Sequence, residues 1–129
     1  MKSRIQSTSP MKIIGYKIYP ENIEPLTKIA MSFNSEISFL NENSANETIG
    51  FLAGFNGFNK SDEKCDAPPT DQCIIFSGFN SKNIDKILFK LKENNISISL
   101  KCVVTQHNQS WRLYDLIEEL KSEHEKMKK

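Results

Sequence analysis

A chain of 129 residues with 38% hydrophobic and 26% charged side chains has the size and composition of one folded domain, which excludes wholesale disorder and a membrane-embedded bundle. Seventeen basic residues against sixteen acidic ones leave a formal charge of +1, so no net field draws in nucleic acid or an anionic membrane, and neither is expected as a partner. Three cysteines, Cys65, Cys73 and Cys102, are an odd number at irregular spacing, which argues for a reducing compartment and against a structural zinc site.

In chain order, residues 1–10 read as a polar, aperiodic tail. Lys2 and Arg4 are not followed by the apolar core of a signal peptide, and Met11, which opens the first apolar run, is a second candidate start. No later stretch approaches the roughly 20 apolar residues of a membrane helix, so a cytoplasmic protein is expected. Residues 11–129 are expected to form a single α/β domain, with a first half over 11–55, a linker over 56–72 and a second half over 73–125.

Residues 11–18 read as a strand carrying Ile13, Ile14 and Ile18, and Pro20 at a first helical turn opens a helix. Ile23, Leu26, Ile29, Ala30 and Phe33 mark its buried stripe, and Asn34 and Ser35 close it. Glu36 to Leu40 alternates as a short strand with Ile37 and Phe39 on one face, and a second helix fits 46–55. From Gly54 to Gln72 the chain carries glycines, prolines and asparagines with no period of either kind. Cys73 to Phe79 is a compact apolar run suited to a buried strand, and Ser81 is placed to cap a helix bearing Ile84, Ile87, Leu88 and Leu91. Asn94 and Asn95 end that helix, and a last strand covers 96–105. The loop from Gln106 to Gln109 then leads to a Ser110-capped helix with Leu113, Leu116, Ile117 and Leu120 at helical spacing. The cations Lys126, Lys128 and Lys129 follow four glutamates and read as a solvated helix end.

The two halves overlay on each other. Ile13-Ile14 matches Ile74-Ile75, Asn22-Ile23-Glu24 matches Asn83-Ile84-Asp85, and Ile37-x-Phe39 matches Ile98-x-Leu100, each at a shift of 61 (74 − 13, 83 − 22, 98 − 37). The expectation is a small four-stranded sheet from two β-α-β-α repeats, parallel within the crossovers, with helices packed on it. A ferredoxin-like α+β sheet made from two split β-α-β units is the alternative.

In the second half, Ile74-Ile75-Phe76-Ser77-Gly78-Phe79 is followed by Leu100-Lys101-Cys102-Val103-Val104-Thr105, then Asn108, Trp111 and Leu116 through Glu123-His124. Over about 72–125 this resembles the bacterial "domain of unknown function 3783" family, in which a strand ending in Thr-Pro-Thr-Asn leads to a Trp and an amphipathic helix finishing Glu-His. Gln106 and His107 depart from the Pro-Thr of that pattern. The resemblance implies a small cytosolic bacterial protein and brings no activity with it.

Candidate chemistry gathers at strand-end loops, where open sheets bind ligands: Lys17 to Pro20, Ser77 to Ser81, and Thr105 to Trp111. In the last of these, Thr105, His107, Asn108 and Ser110 are polar groups able to line an anion or nucleotide-like ligand, with Trp111 as a stacking wall. The same residues also suit a purely architectural role, with Asn108 and Ser110 capping the helix and Trp111 plugging the core. Cys102 with His107 would make a thiol-imidazole pair, but Cys102 lies in an apolar strand, where a thiol is usually inert. His124 falls on the apolar stripe of the last helix and reads as a helix-end residue. Gly50, Gly54 and Gly57 lack the spacing of a dinucleotide fingerprint or a phosphate loop. The aromatics from Phe51 to Phe58 form either a protein-binding lid or ordinary packing. No cofactor and no metal is implied. The expected function is non-enzymatic binding of a small molecule or a protein, and a small enzyme using the Thr105–Trp111 loop is the alternative.

Overall fold

The computed structural model describes residues 10–127. The elements in order are β1 (Lys12–Tyr16), α1 (Pro20–Ser32), β2 (Glu36–Leu40), a 3-10 turn (Glu42–Ser44), α2 (Ile49–Ala53), β3 (Cys73–Ser77), α3 (Ser81–Glu93), β4 (Leu100–Val103) and α4 (Leu113–Met127). Most of the expected tail, residues 1–9, and the terminal Lys128 and Lys129 lie outside the described residues.

Side chains of β1 and β3 are buried on both faces, as befits the two central strands of a sheet covered by helices on each side. The sheet runs β2-β1-β3-β4. Each β-α-β crossover is parallel, with Ile13 beside Ile37 in one half and Ile74 beside Lys101 in the other, while β1 and β3 meet antiparallel with Ile14 opposite Ile75. The result is a mixed sheet of the α/β class. The antiparallel contact joins two parallel crossovers, an order different from the ferredoxin-like alternative.

Strand alternation sorts the core into two layers. Ile13, Ile74 and Phe76 meet Leu26, Ile29 and Ala30 of α1 and Ile87 and Leu91 of α3. On the opposite face, Ile14, Tyr16, Cys73 and Ile75 meet Ile49 of α2 and Leu113, Leu116 and Ile117 of α4.

Several backbone features recur at one offset. Helices α1 and α3 have 13 residues each and begin 61 apart (81 − 20). The left-handed residues Lys17 and Gly78 (φ 54° and 80°), and Asn34 and Asn95 (φ 55° and 59°), are separated by the same 61 (78 − 17, 95 − 34). After the second turn the offset grows to 64 (101 − 37), because Ser35 alone joins Asn34 to β2 whereas 96–99 join Asn95 to β4. In space, therefore, Lys101 and not Ile98 takes the place of Ile37.

That longer connection also shortens the expected strand over 96–105. Alternation would put Ile96, Ile98 and Leu100 on one face, yet Ile96 and Ile98 pack with α1 and α3 while Leu100 packs with α4. The chain changes face after Ile98, and ladder pairing begins only at Leu100. The expected helix over 46–55 likewise divides. Thr48 is extended and caps α2, its hydroxyl accepting from the Phe51 amide. Asn80, not Ser81, caps α3, with its side chain accepting from the Asn83 amide.

Candidate functional site

The loops preceding α2 and α4 meet in an antiparallel bridge, Thr48 opposite Arg112. The hydrogen bonds across it are reciprocal. Ile49 N donates to Trp111 O at 2.9 Å and Gly50 N to Gln109 O at 2.7 Å; Leu113 N donates to Glu47 O and Tyr114 N to Ala45 O, both at 2.9 Å. These four donors are the opening residues of α2 and α4. Such amides have no partner within their own helix and would otherwise be free for an anion, but here the opposite loop consumes them. The expected Ser110 cap is accordingly displaced, since α4 starts three residues later with carbonyls of the first half as its cap.

The loop from Thr105 to Trp111 is built around Asn108, whose side chain is buried at 8% exposure. Its Oδ1 accepts from Thr105 N at 2.9 Å, its Nδ2 donates to Val103 O at 3.1 Å, and its own amide donates to Thr105 Oγ1 at 3.1 Å. Gln109 N closes on Thr105 O and Trp111 N on Asn108 O. Thr105 and Asn108 thus serve each other and the backbone. Of the remaining expected site residues, His107 is exposed and sets its ring edge-on to Trp111, with centroids 5.4 Å apart. Trp111 is half-buried, with its inner side on the α2/α4 core. Ser110 and Trp111 line a surface hollow of about 590 Å³ with Arg112, Asp115, Glu118 and Glu119. Thr105 opens instead on a hollow of about 290 Å³ beside Phe55, Ser77 and Gly78. The five residues are therefore close in sequence but divided in space.

Residues that sequence reasoning passed over hold the region in place. Glu47 is buried, and its carboxylate accepts from Ser61 N at 2.8 Å and Lys60 Nζ at 3.3 Å, which pins the linker to α2. Arg112 Nη1 donates to Asn46 O at 2.9 Å, and Asn46 in turn donates to Ser61 Oγ. Tyr16 donates its hydroxyl to Pro69 O at 2.7 Å, and burial, reinforced by nearby acidic groups, pushes its pKa up to about 12. The Phe58 ring lies over Gly50, where a Cβ would come within 2.5 Å of it, so this aromatic packs on α2 through a contact that only glycine permits. None of these contacts has a motif; an isolated acid between Asn46 and Thr48 was the sole hint.

At the other strand ends, Lys17 forms an ion pair with Glu42 at 2.8 Å, and Tyr19 N donates to Gln72 Oε1. Lys121 bridges Asp71 and Glu118. Burial raises the pKa of both strand thiols, Cys102 to about 12 with the carboxylate of Glu123 adding to it, and Cys73 further still. Cys102 packs with the α2/α4 core while His107 stands beside Trp111 at the surface. His124, in the last turn of α4, lines a hollow with Lys121, Glu125 and Asp71.

A mixed four-stranded sheet between two helical layers, sealed by a reciprocal loop crossing, defines the architecture. Residues 72–127, which span β3 through α4, match the family model described as Domain of unknown function (DUF3783). No curated protein and no solved structure matches the chain. Among the described residues, no helix is long and apolar enough to cross a membrane.

Proposed function

We propose that this protein is a non-enzymatic binding module whose recognition face is the Trp111 corner of α4, and that the preferred ligand group is a cation, such as a basic side chain of a protein partner. The observation that carries the reading is the hollow beside Trp111, which sets an indole wall against Asp115, Glu118 and Glu119, the one cation in its lining, Arg112, being engaged with the Asn46 carbonyl. An aromatic face and carboxylates attract the same ammonium or guanidinium group. The loop supports the reading by its rigidity, because Asn108 fixes its backbone and leaves His107, Ser110 and Trp111 at the surface. Thr105 and Asn108 are committed to backbone partners, which favours binding over reaction at this loop.

The recurrent offsets of 61 and 64 residues support a further part of the reading, namely that the halves are two copies of one β-α-β-α unit. The second copy elongated its last helix and became the binding face, while the first shortened it. Buried thiols with raised pKa values suit a protein kept in a reducing cytoplasm.

The test is a titration of the full chain with hexalysine, followed through the emission of Trp111, the single tryptophan. A saturable change that weakens with salt, and is reduced several-fold by Asp115→Asn together with Glu119→Gln, is expected. No change in emission, or an unaltered response in the double variant, would refute the reading.

A further inference from the structure

On the opposite face of the molecule, the longer connection before β4 opens a groove of about 550 Å³ between the end of α3 and the edge strand. Leu88, 36% exposed, supplies its accessible apolar surface over a floor of the buried Leu91, Ile96 and Ile98, and Ser97 and Ser99 stand exposed along it. Two cations, Lys92 and Lys101, also line it, and no carboxylate does. In a chain with 16 acidic residues, that one-sided charge fits an anionic occupant.

Lys101 is the unusual member. It occupies the β4 position that Ile37 holds in β2, so an ammonium sits where the other half places an apolar side chain. Its Nζ donates to the carbonyl of Ile98, and no carboxylate among the described residues forms an ion pair with it. Burial lowers its pKa, as expected of an ammonium removed from water without a counter-charge. A partly desolvated cation beside an apolar lining lacks an anion, and the lining selects one with an apolar body.

We propose that this groove binds a small amphipathic carboxylate, its head group taken by Lys101 and its apolar body by Leu88 over the floor of Leu91, Ile96 and Ile98. In the first half Ser35 alone joins Asn34 to β2, and Ile37 stands where Lys101 does, so the equivalent position offers no cation. The site is independent of the Trp111 corner, which lies beyond the sheet on the α2/α4 face.

Decanoate below its micellar concentration is titrated into the full chain labelled at Ile and Leu methyl groups, with decanol and inorganic phosphate as separate probes. Saturable shifts largest at Leu88 and confined to Leu88, Leu91, Ile96 and Ile98, at least tenfold weaker affinity in Lys101→Met and partial retention in Lys101→Arg are expected. Phosphate and decanol should leave those methyls unmoved at the same concentrations. The proposal is overturned by any of three outcomes: no saturable shift with decanoate, equal affinity in Lys101→Met, or equal response to decanol. The wild-type spectra decide the matter even if a variant fails to fold.

Discussion

The first and second halves use the same crossover but finish differently. Up to Asn34 and Asn95 they agree residue for residue in helix length and in the sites of left-handed backbone. Beyond that point the first half takes a one-residue step into β2 and ends in a five-residue α2, while the second takes a longer step into β4 and ends in a fifteen-residue α4. The comparison teaches that the central layer tolerates little variation, since β1 and β3 are buried on both faces, whereas the outer ends are free to diverge and carry the two candidate sites.

Breaking the central contact should have the largest effect. Ile14→Ala and Ile75→Ala, at fully buried positions facing each other across β1 and β3, should each lower stability by about 2–5 kcal/mol, and the double variant should fall short of the sum, as read from denaturant unfolding. Next, Asn108→Ala strips the Thr105–Trp111 loop of its buried organiser and should cost about 1–3 kcal/mol. Asn41→Ala, 64 residues earlier than Thr105 (105 − 41), removes one exposed turn bond and should cost about 0.5–1 kcal/mol in the same assay. A comparable cost for the two would erase the asymmetry between the loops.

Two further variants sharpen the picture. Gly78→Ala should destabilise by about 1–2 kcal/mol because its φ of 80° disfavours any side chain, although Lys17 tolerates a similar conformation at the equivalent place in the first half. The smallest effect concerns Lys17 and Glu42. The hydrogen bond from Lys17 holds the Glu42 pKa below the usual carboxylate range, so this pair contributes stability above that range and loses it as the pH falls through the depressed value. Lys17→Met should therefore lower the neutral plateau slightly and flatten the acid limb, with the variant and wild-type curves converging below the depressed value, as read from denaturant unfolding against pH.

Much of the central layer was legible because its apolar runs are compact and its punctuation strong. Pro20 fixed the start of α1, Asn94 and Asn95 the end of α3, and Glu36 to Leu40 alternates over the full length of β2. The crossing of the loops was not legible, since it is made of backbone amides of Ile49, Gly50, Leu113 and Tyr114 with carbonyls some sixty residues away, and such bonds leave no side-chain signature. The same blindness affected the candidate site. A threonine and an asparagine in a strand-end loop look alike whether they serve a ligand or the backbone, and only the bonds of Asn108 to Val103 and Thr105 distinguish the two. At Ile96 and Ile98 the alternating pattern reads as the start of the last strand, whereas ladder pairing begins only at Leu100, because the period carries no information on where a chain changes face.

The most direct test of the two-half account is native-state hydrogen exchange at the four amides that cross between the loops. The account predicts that Ile49 and Gly50 exchange as slowly as Leu113 and Tyr114, all four opening in one cooperative step with the central strands. Fast exchange at Ile49 and Gly50 alongside slow exchange at Leu113 and Tyr114 would contradict it, and would show α4 to be held by its own packing and not by the first half.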